Sequence, residues 1–390
     1  MKDASTKAMD QWSTRPDDER FETLESLDNA LATMHNSSVE ASTRMNQTRV
    51  EPLGNDLVVI GPANTPVAVN NWSFQTLCWR AEAPAQYLMK LPVDKAADLL
   101  TYGVQKKADD GKESVLLIDQ RPNANGLPTL RAISSEVYAR FWGDWCSRML
   151  FAARDGGFRV PPARPARHGQ AGTRLATEGD VIATAHASLG IKVGDEIAPA
   201  GLYAGDRNMF AFLVHEGRID MGNGRFLSPG FFMENSEVRE RKYSLTTFWY
   251  DSICGNHIVW GMENVVEVDV VHAGRNAHNK AYDLTRKFVD GIRNSDPSEF
   301  ARVVAASKAK VLGPKQEDSV DAAYKLVGKL GVSRKTLDSA YLSAARDGED
   351  PNTAWGIAYG MTRRSQDNGN ADNRTTVDRA AGMLLKRIAF

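Results

Sequence analysis

The chain has 390 residues, of which 42% are hydrophobic and 25% charged, and its formal net charge is −1. Such a composition belongs to a soluble globular protein of two or three domains with a sizeable core. It excludes a disordered or collagenous chain, and no apolar window approaches the roughly 18 residues that would span a membrane.

Charge is unevenly spread. Residues 1–57 carry 6 basic and 11 acidic side chains, while residues 270–315 carry 9 basic and 4 acidic ones. An acidic arm on a mildly basic body fits a protein that meets phosphates, or one that has a soluble tail. Cys78, Cys146 and Cys254 form no disulfide framework and have no zinc-finger spacing, which favours a reducing, cytosolic setting. The N-terminus lacks an apolar signal core.

In chain order, residues 1–57 read as a flexible acidic arm with one amphipathic helix. Pro16 with Asp17, Asp18 and Glu19 marks its start, and Phe21, Leu24, Leu27, Leu31 and Met34 form its stripe. That stripe must cover either the body of the chain or a neighbouring subunit. Residues 58–157 read as an α+β half. They comprise a hairpin from Leu57–Ile60 and Pro66–Val69, two helices over Phe74–Leu100 broken near Pro84, and strands at Ser114–Asp119 and Thr129–Ile133. A helix capped by Ser134-Ser135-Glu136 then runs to Ala152.

Residues 158–176 read as an exposed linker or loop rich in Pro and Arg, where proline density opposes helix and central strand. Residues 177–278 form a β-rich half with strands at Val181–Ala187, Met209–His215, Arg225–Leu227, Phe231–Glu234, Ser244–Tyr250 and Val265–Val271. Gly217, Gly222, Gly224 and Pro229-Gly230 supply turns. Few helices intervene, so antiparallel pairing is expected. Residues 279–390 are helical; Asp296-Pro297-Ser298-Glu299 is a strong start, and others lie near Ser319, Ser333, Asp350-Pro351 and Thr376. The predicted class is α+β: a central, largely antiparallel sheet backed by helices, with a helical C-terminal region.

Three polar clusters punctuate apolar strand-like sequence: Asn235-Ser236-Glu237-Val238, Cys254-Gly255-Asn256-His257 and His272-Ala273-Gly274-Arg275. One reading has Asn235, Ser236, Asn256 and His272 satisfying backbone groups at strand ends and turns. A second makes Asn235, Ser236, Cys254 and Asn256 line a ligand groove, with Arg275 on an anion. An enzyme would use Glu237 and His272 as acid and base. A metal on Cys254, His257 and His272 matches no zinc spacing, and Cys254 has no adjacent imidazole in sequence to activate it. Neither metal nor cofactor is expected, and Walker, GxGxxG, HExxH and GxSxG signatures are absent.

The basic residues Arg159, Arg164, Arg167 and Arg174, then Arg239, Arg241 and Lys242, then Arg275, Lys280, Arg286 and Lys287 alternate with aromatics such as Tyr243, Trp249, Trp260 and Tyr282. A cationic groove with exposed rings is what single-stranded nucleic acid needs.

The pieces Ala83-Pro-Ala-Gln-Tyr-Leu-Met-Lys-Leu-Pro92, Leu130-Arg-Ala-Ile-Ser-Ser-Glu-Val-Tyr138, Asn235–Val238, Cys254-Gly-Asn256, His272–Arg275 and Thr353-Ala-Trp-Gly-Ile-Ala-Tyr-Gly-Met-Thr362, with Ala381-Gly-Met383, resemble the phage/plasmid-like protein family of unknown function. The resemblance runs over about residues 70–385. Arg239, where a small residue is expected, and the Pro/Arg-rich stretch 159–174 depart from it. It implies a mobile-element setting and the host cytoplasm. The leading expectation is a homo-oligomeric protein that binds or anneals single-stranded DNA in replication or recombination. The alternatives are an enzyme acting on nucleic acid or nucleotides, and an interaction protein that inhibits a host factor through the helix near 17–35.

Overall fold

A computed structural model describes residues 19–106, 113–161, 163–166, 173–184, 190–198, 201–217, 219–220, 226–251, 257–258, 268–294, 297–367 and 371–389. The architecture is α+β, with two large sheets, helices packed on both, and a helical C-terminal region.

The chain enters through β1 (Arg20–Phe21) and α1 (Leu24–Ser37). Thr23 caps α1: its hydroxyl accepts from Ser26 N, and the Ser26 hydroxyl accepts from Thr23 N in return. Leu24, Leu27 and Leu31 are buried by the chain's own core. The expected apolar stripe is therefore real, and it covers this molecule. Phe21 belongs to β1 rather than to the helix, and residues 1–18 lie outside the described residues.

Strands β2 (Ser38–Thr43) and β3 (Arg49–Leu53) follow, then β4 (Asp56–Ile60) and β5 (Pro66–Val69). This corrects the expectation of an arm to residue 57. The polar stretch after α1 alternates around edge strands of a sheet, where one row of side chains faces water. Next come α2 (Asn71–Ala81), the short α3 (Ala85–Leu88), α4 (Val93–Lys106), β6 (Ser114–Asp119) and β7 (Thr129–Ser135). The six strands lie in the order β2-β6-β7-β5-β4-β3, antiparallel except for β5 beside β7. Leu77, Leu100, Val104, Leu116, Leu130 and Ile133 bury one face of this sheet under α2 and α4.

Ser134 and Ser135 end β7 instead of capping a helix; α5 starts at Gly143 and runs to Asp155. The Pro/Arg-rich stretch is partly structured too. β8 (Phe158–Arg159) joins the strand Met209–His215, and β9 (Arg164–Pro165) with β10 (Arg174–Leu175) flanks β11 (Glu196–Ala198) in a small sheet. Between β10 and β11, α6 (Glu178–Thr184) replaces the strand expected from Val181; residues 185–189 lie outside the described residues.

The larger sheet is built from β1, β8, β12 (Leu202–Ala204), β13 (Met209–His215), β14 (Ile219–Asp220), β15 (Phe226–Asn235), β16 (Tyr243–Asp251), β17 (His257–Ile258) and β18 (Val268–Val270), all antiparallel. Period-two alternation divides its faces. Met209, Ala211 and Leu213 meet the helices, whereas Phe210, Phe212 and Val214 join Phe232, Phe248 and Tyr250 on the other side.

Pro229-Gly230, expected as a turn, lies inside β15. Gly230 sits opposite Phe248, whose ring occupies the space a Cβ would need. Pro229 lacks an N–H, but β13 pairs only as far as Gly230 and β14 only from Leu227, so the missing donor falls in a gap of the ladder.

The C-terminal helices are α7 (Ala277–Arg293), α8 (Pro297–Ala309), α9 (Gln316–Val327), α10 (Arg334–Arg346), α11 (Ala354–Asp367) and α12 (Ala371–Ala389). α8 begins at Pro297, and Ser333 caps α10 by accepting from Thr336 N, both where the sequence signals stand. Their apolar faces merge with the larger sheet's core through Phe288, Val304, Ala340, Trp355 and Leu384.

Candidate functional site

The first polar cluster sits where β15 ends, between the two sheets. Asn235 donates from Nδ2 to Phe141 O at 2.7 Å. The Ser236 hydroxyl donates to Arg207 O at 2.6 Å and accepts from Val238 N and Glu240 N. Trp72 Nε1 donates to Val238 O at 2.8 Å, and Arg140 donates to Glu237 O. These are strand-end and turn contacts of the kind expected for Asn235 and Ser236.

Glu237 is enclosed. One carboxylate oxygen lies 2.8 Å from Arg131 Nη1, and the other accepts from Gly143 N at 2.8 Å, at the N-terminus of α5, where the helix dipole favours an anion. Arg131 on β7 is itself 4% exposed and also donates to Ser38 Oγ and Asp206 O. The cavity beside the pair, bounded by Leu31, Arg131, Asn208, Asn235 and Glu237, holds about 10 Å3, room for no more than a water molecule.

His272, the candidate acid–base partner, is 5% exposed. Tyr138 hydroxyl donates to Ser236 O at 3.0 Å and therefore accepts from His272 Nδ1 at 2.6 Å, which fixes the Nδ1–H tautomer. Nε2 is then a buried acceptor with no hydrogen-bond partner among the described residues. The ring packs on Phe141 at 4.5 Å between centroids. Burial first, then the nearby Arg140 and His278, pulls the imidazole down to about 4, and burial pushes the Tyr138 phenol up. Among the described residues nothing supports a catalytic role for Glu237 and His272: Glu237 is consumed by an ion pair and a helix terminus, and the cavity beside it admits no more than a water molecule. Cys254, Asn256 and Arg167 lie outside the described residues, as does the side chain of Arg164.

The expected single cationic trough is corrected as well. Arg159 pairs with Glu216 at 2.8 Å, and Arg174 with Glu22 at 2.5 Å and Asp180 at 2.7 Å. Arg241 lies 3.3 Å from Glu234, and Lys242 2.5 Å from Asp269. The Arg174 guanidinium holds Asp180 well below the usual carboxylate range. These four cations are neutralised by their own chain; Glu216, Glu22 and Asp269 lie far along the chain from Arg159, Arg174 and Lys242, whereas Asp180 and Glu234 are near their partners in sequence.

The remaining named cations differ. Arg239, Arg275, Lys280, Arg286 and Lys287 are exposed and form no ion pair among the described residues. Arg239 holds a left-handed backbone at φ 69°, which turns it outward after the buried Val238. Arg275 ends a turn in which Gly274 N donates to Val137 O, so residues 137–139 and 272–275 lie side by side. Lys280, Arg286 and Lys287 then occupy the solvent side of α7, together with Tyr282 at 48% exposure and two acids, Asp283 and Asp290. Val137 and Val271 near the same turn are 70% and 62% exposed.

Among the described residues no group of His, Cys, Asp and Glu could hold a metal ion, and no helix is long and apolar enough to cross a membrane. No protein-family model, curated protein or solved structure matches this chain.

Proposed function

We propose that this protein binds single-stranded nucleic acid along α7 and the turn before it. Arg239, Arg275, Lys280, Arg286 and Lys287 contact phosphates, and Tyr282 offers a ring to a base. The observation that carries this reading is the division among the basic residues: this set alone, of those named from the sequence and described, forms no ion pair with a carboxylate among the described residues. Annealing or holding a strand needs neutralised phosphates and presented bases, not a catalytic constellation. The mobile-element setting, the host cytoplasm and a homo-oligomeric state belong to the same proposal and rest on the resemblance to phage/plasmid-like proteins. The host-blocking alternative loses support, because the stripe of α1 is already buried by its own chain.

Fluorescence anisotropy with a labelled single-stranded oligonucleotide tests the proposal. Affinity should fall steeply with salt, since bound phosphates release counterions. Charge reversal at Arg275, Lys280, Arg286 and Lys287 should abolish binding, while Arg159→Ala and Lys242→Ala should leave it unchanged. No binding at low salt, or binding without salt dependence, ends this reading.

A further inference from the structure

The two edges of the six-stranded sheet are built differently. β3 carries Pro52, which has no N–H to offer a neighbour, flanked by Glu51 and Arg49. These are devices that keep sheet edges apart. β2 has six residues, no proline and a single charge, Glu40. Among the described residues its only strand partner is β6. Gln120 N donates to Ser37 O at 2.8 Å, so by alternation the odd-numbered residues of β2 turn their backbone groups toward β6. The N–H and C=O of Ser38, Glu40 and Ser42 then point away from the sheet. The Ser38 N–H is taken by His35 O at the end of α1, and no backbone hydrogen bond from another described residue reaches the outward groups of Glu40 and Ser42. Val39 is 42% exposed, and Glu40 and Ser42 are exposed too.

We propose that β2 pairs with β2 of a second copy of this chain, antiparallel about a two-fold axis at Ala41, so that two sheets become one. The strand is complementary to itself in that register. Glu40 faces Ser42 of the second copy, Val39 faces Thr43, and Arg44 of the second copy lies diagonally from Glu40. The two Glu40 side chains meet only along the other diagonal, and each is already held by Arg140 of its own chain at 2.6 Å. No bare like charges oppose each other. The backbone edge supplies the hydrogen bonds, as in strand addition generally.

Sedimentation equilibrium and amide hydrogen exchange, both without nucleic acid, test this. The protein should dimerise with concentration, and the amides of Glu40 and Ser42 should gain protection as it does. Ser42→Pro removes one outward donor, and Val39→Lys adds a charge while keeping every donor. Each should weaken the dimer by at least about tenfold, roughly 1.4 kcal/mol, whereas Leu53→Lys on β3 should not. Far-ultraviolet circular dichroism checks that each variant is folded, and Val39→Lys remains informative if Ser42→Pro does not fold. A monomer at every concentration, a dimer whose Glu40 and Ser42 amides exchange no more slowly, or a dimer unaffected by Val39→Lys would overturn the proposal.

Discussion

The junction around Glu237 and the outer face of α7 are both rich in charge, and they put it to opposite uses. At the junction, Arg131, Arg140, Glu237 and His272 are buried and face one another or backbone groups. On α7, Lys280, Arg286 and Lys287 stand in solvent. A charged residue in a sequence is a candidate for function only after the fold's own demand for it is met. Here distant carboxylates take up several cations first, and what remains on α7 is available to a ligand.

The sharpest way to break the contrast is to remove Glu237. Glu237→Ala strands Arg131 in a dry site, and the loss should be about 3–5 kcal/mol, read as a lower midpoint in urea unfolding. Equal removal at Arg286 should leave that midpoint nearly unmoved. Were the junction instead a working site, Glu237→Ala would abolish an activity and spare the fold.

The second expectation concerns pH. His272 titrates near 4 when folded and near 6.5 when unfolded. Between those values the unfolded chain binds the extra proton, so stability is full above about pH 6.5 and falls as pH drops toward 4, by up to about 3 kcal/mol. A His272→Leu variant should flatten the slope of unfolding free energy in that window.

Third, Gly230→Ala should cost about 1–3 kcal/mol, because its Cβ meets the Phe248 ring, and Phe248→Leu in the same chain should recover part of that. Smallest, Lys242→Ala removes a half-exposed pair with Asp269 and should change stability by about 1 kcal/mol or less. A larger loss would move Lys242 into the structural class with Arg131.

Much of the fold was legible in residue order. The hairpin at Leu57–Val69, the strand at Met209–His215 and the starts at Pro297 and Ser333 follow from alternation, caps and proline, which are local signals. The misread elements have non-local causes. Pro229-Gly230 looks like a turn until Phe248 is placed across from it and the gap in the neighbouring ladder is seen. Residues 38–57 look like an arm because edge strands expose half their side chains. Of the candidate site, the roles of Asn235 and Ser236 could be read from position. The fates of Glu237, Arg174 and Lys242 could not, since Arg131, Glu22 and Asp269 lie far from them in the chain.

The opening segment threads both layers. Arg20 and Phe21 lie against Tyr203 and Leu202, and Ser38–Thr43 against Ser114–Asp119, with α1 between them. During synthesis the first of these waits for a strand that emerges some 180 residues later, while the second can dock much sooner. The smaller layer can therefore mature early and hold α1 ready as a template for the larger one. Cutting the gene at the apparent boundary near residue 157 would leave the larger layer without β1 and α1.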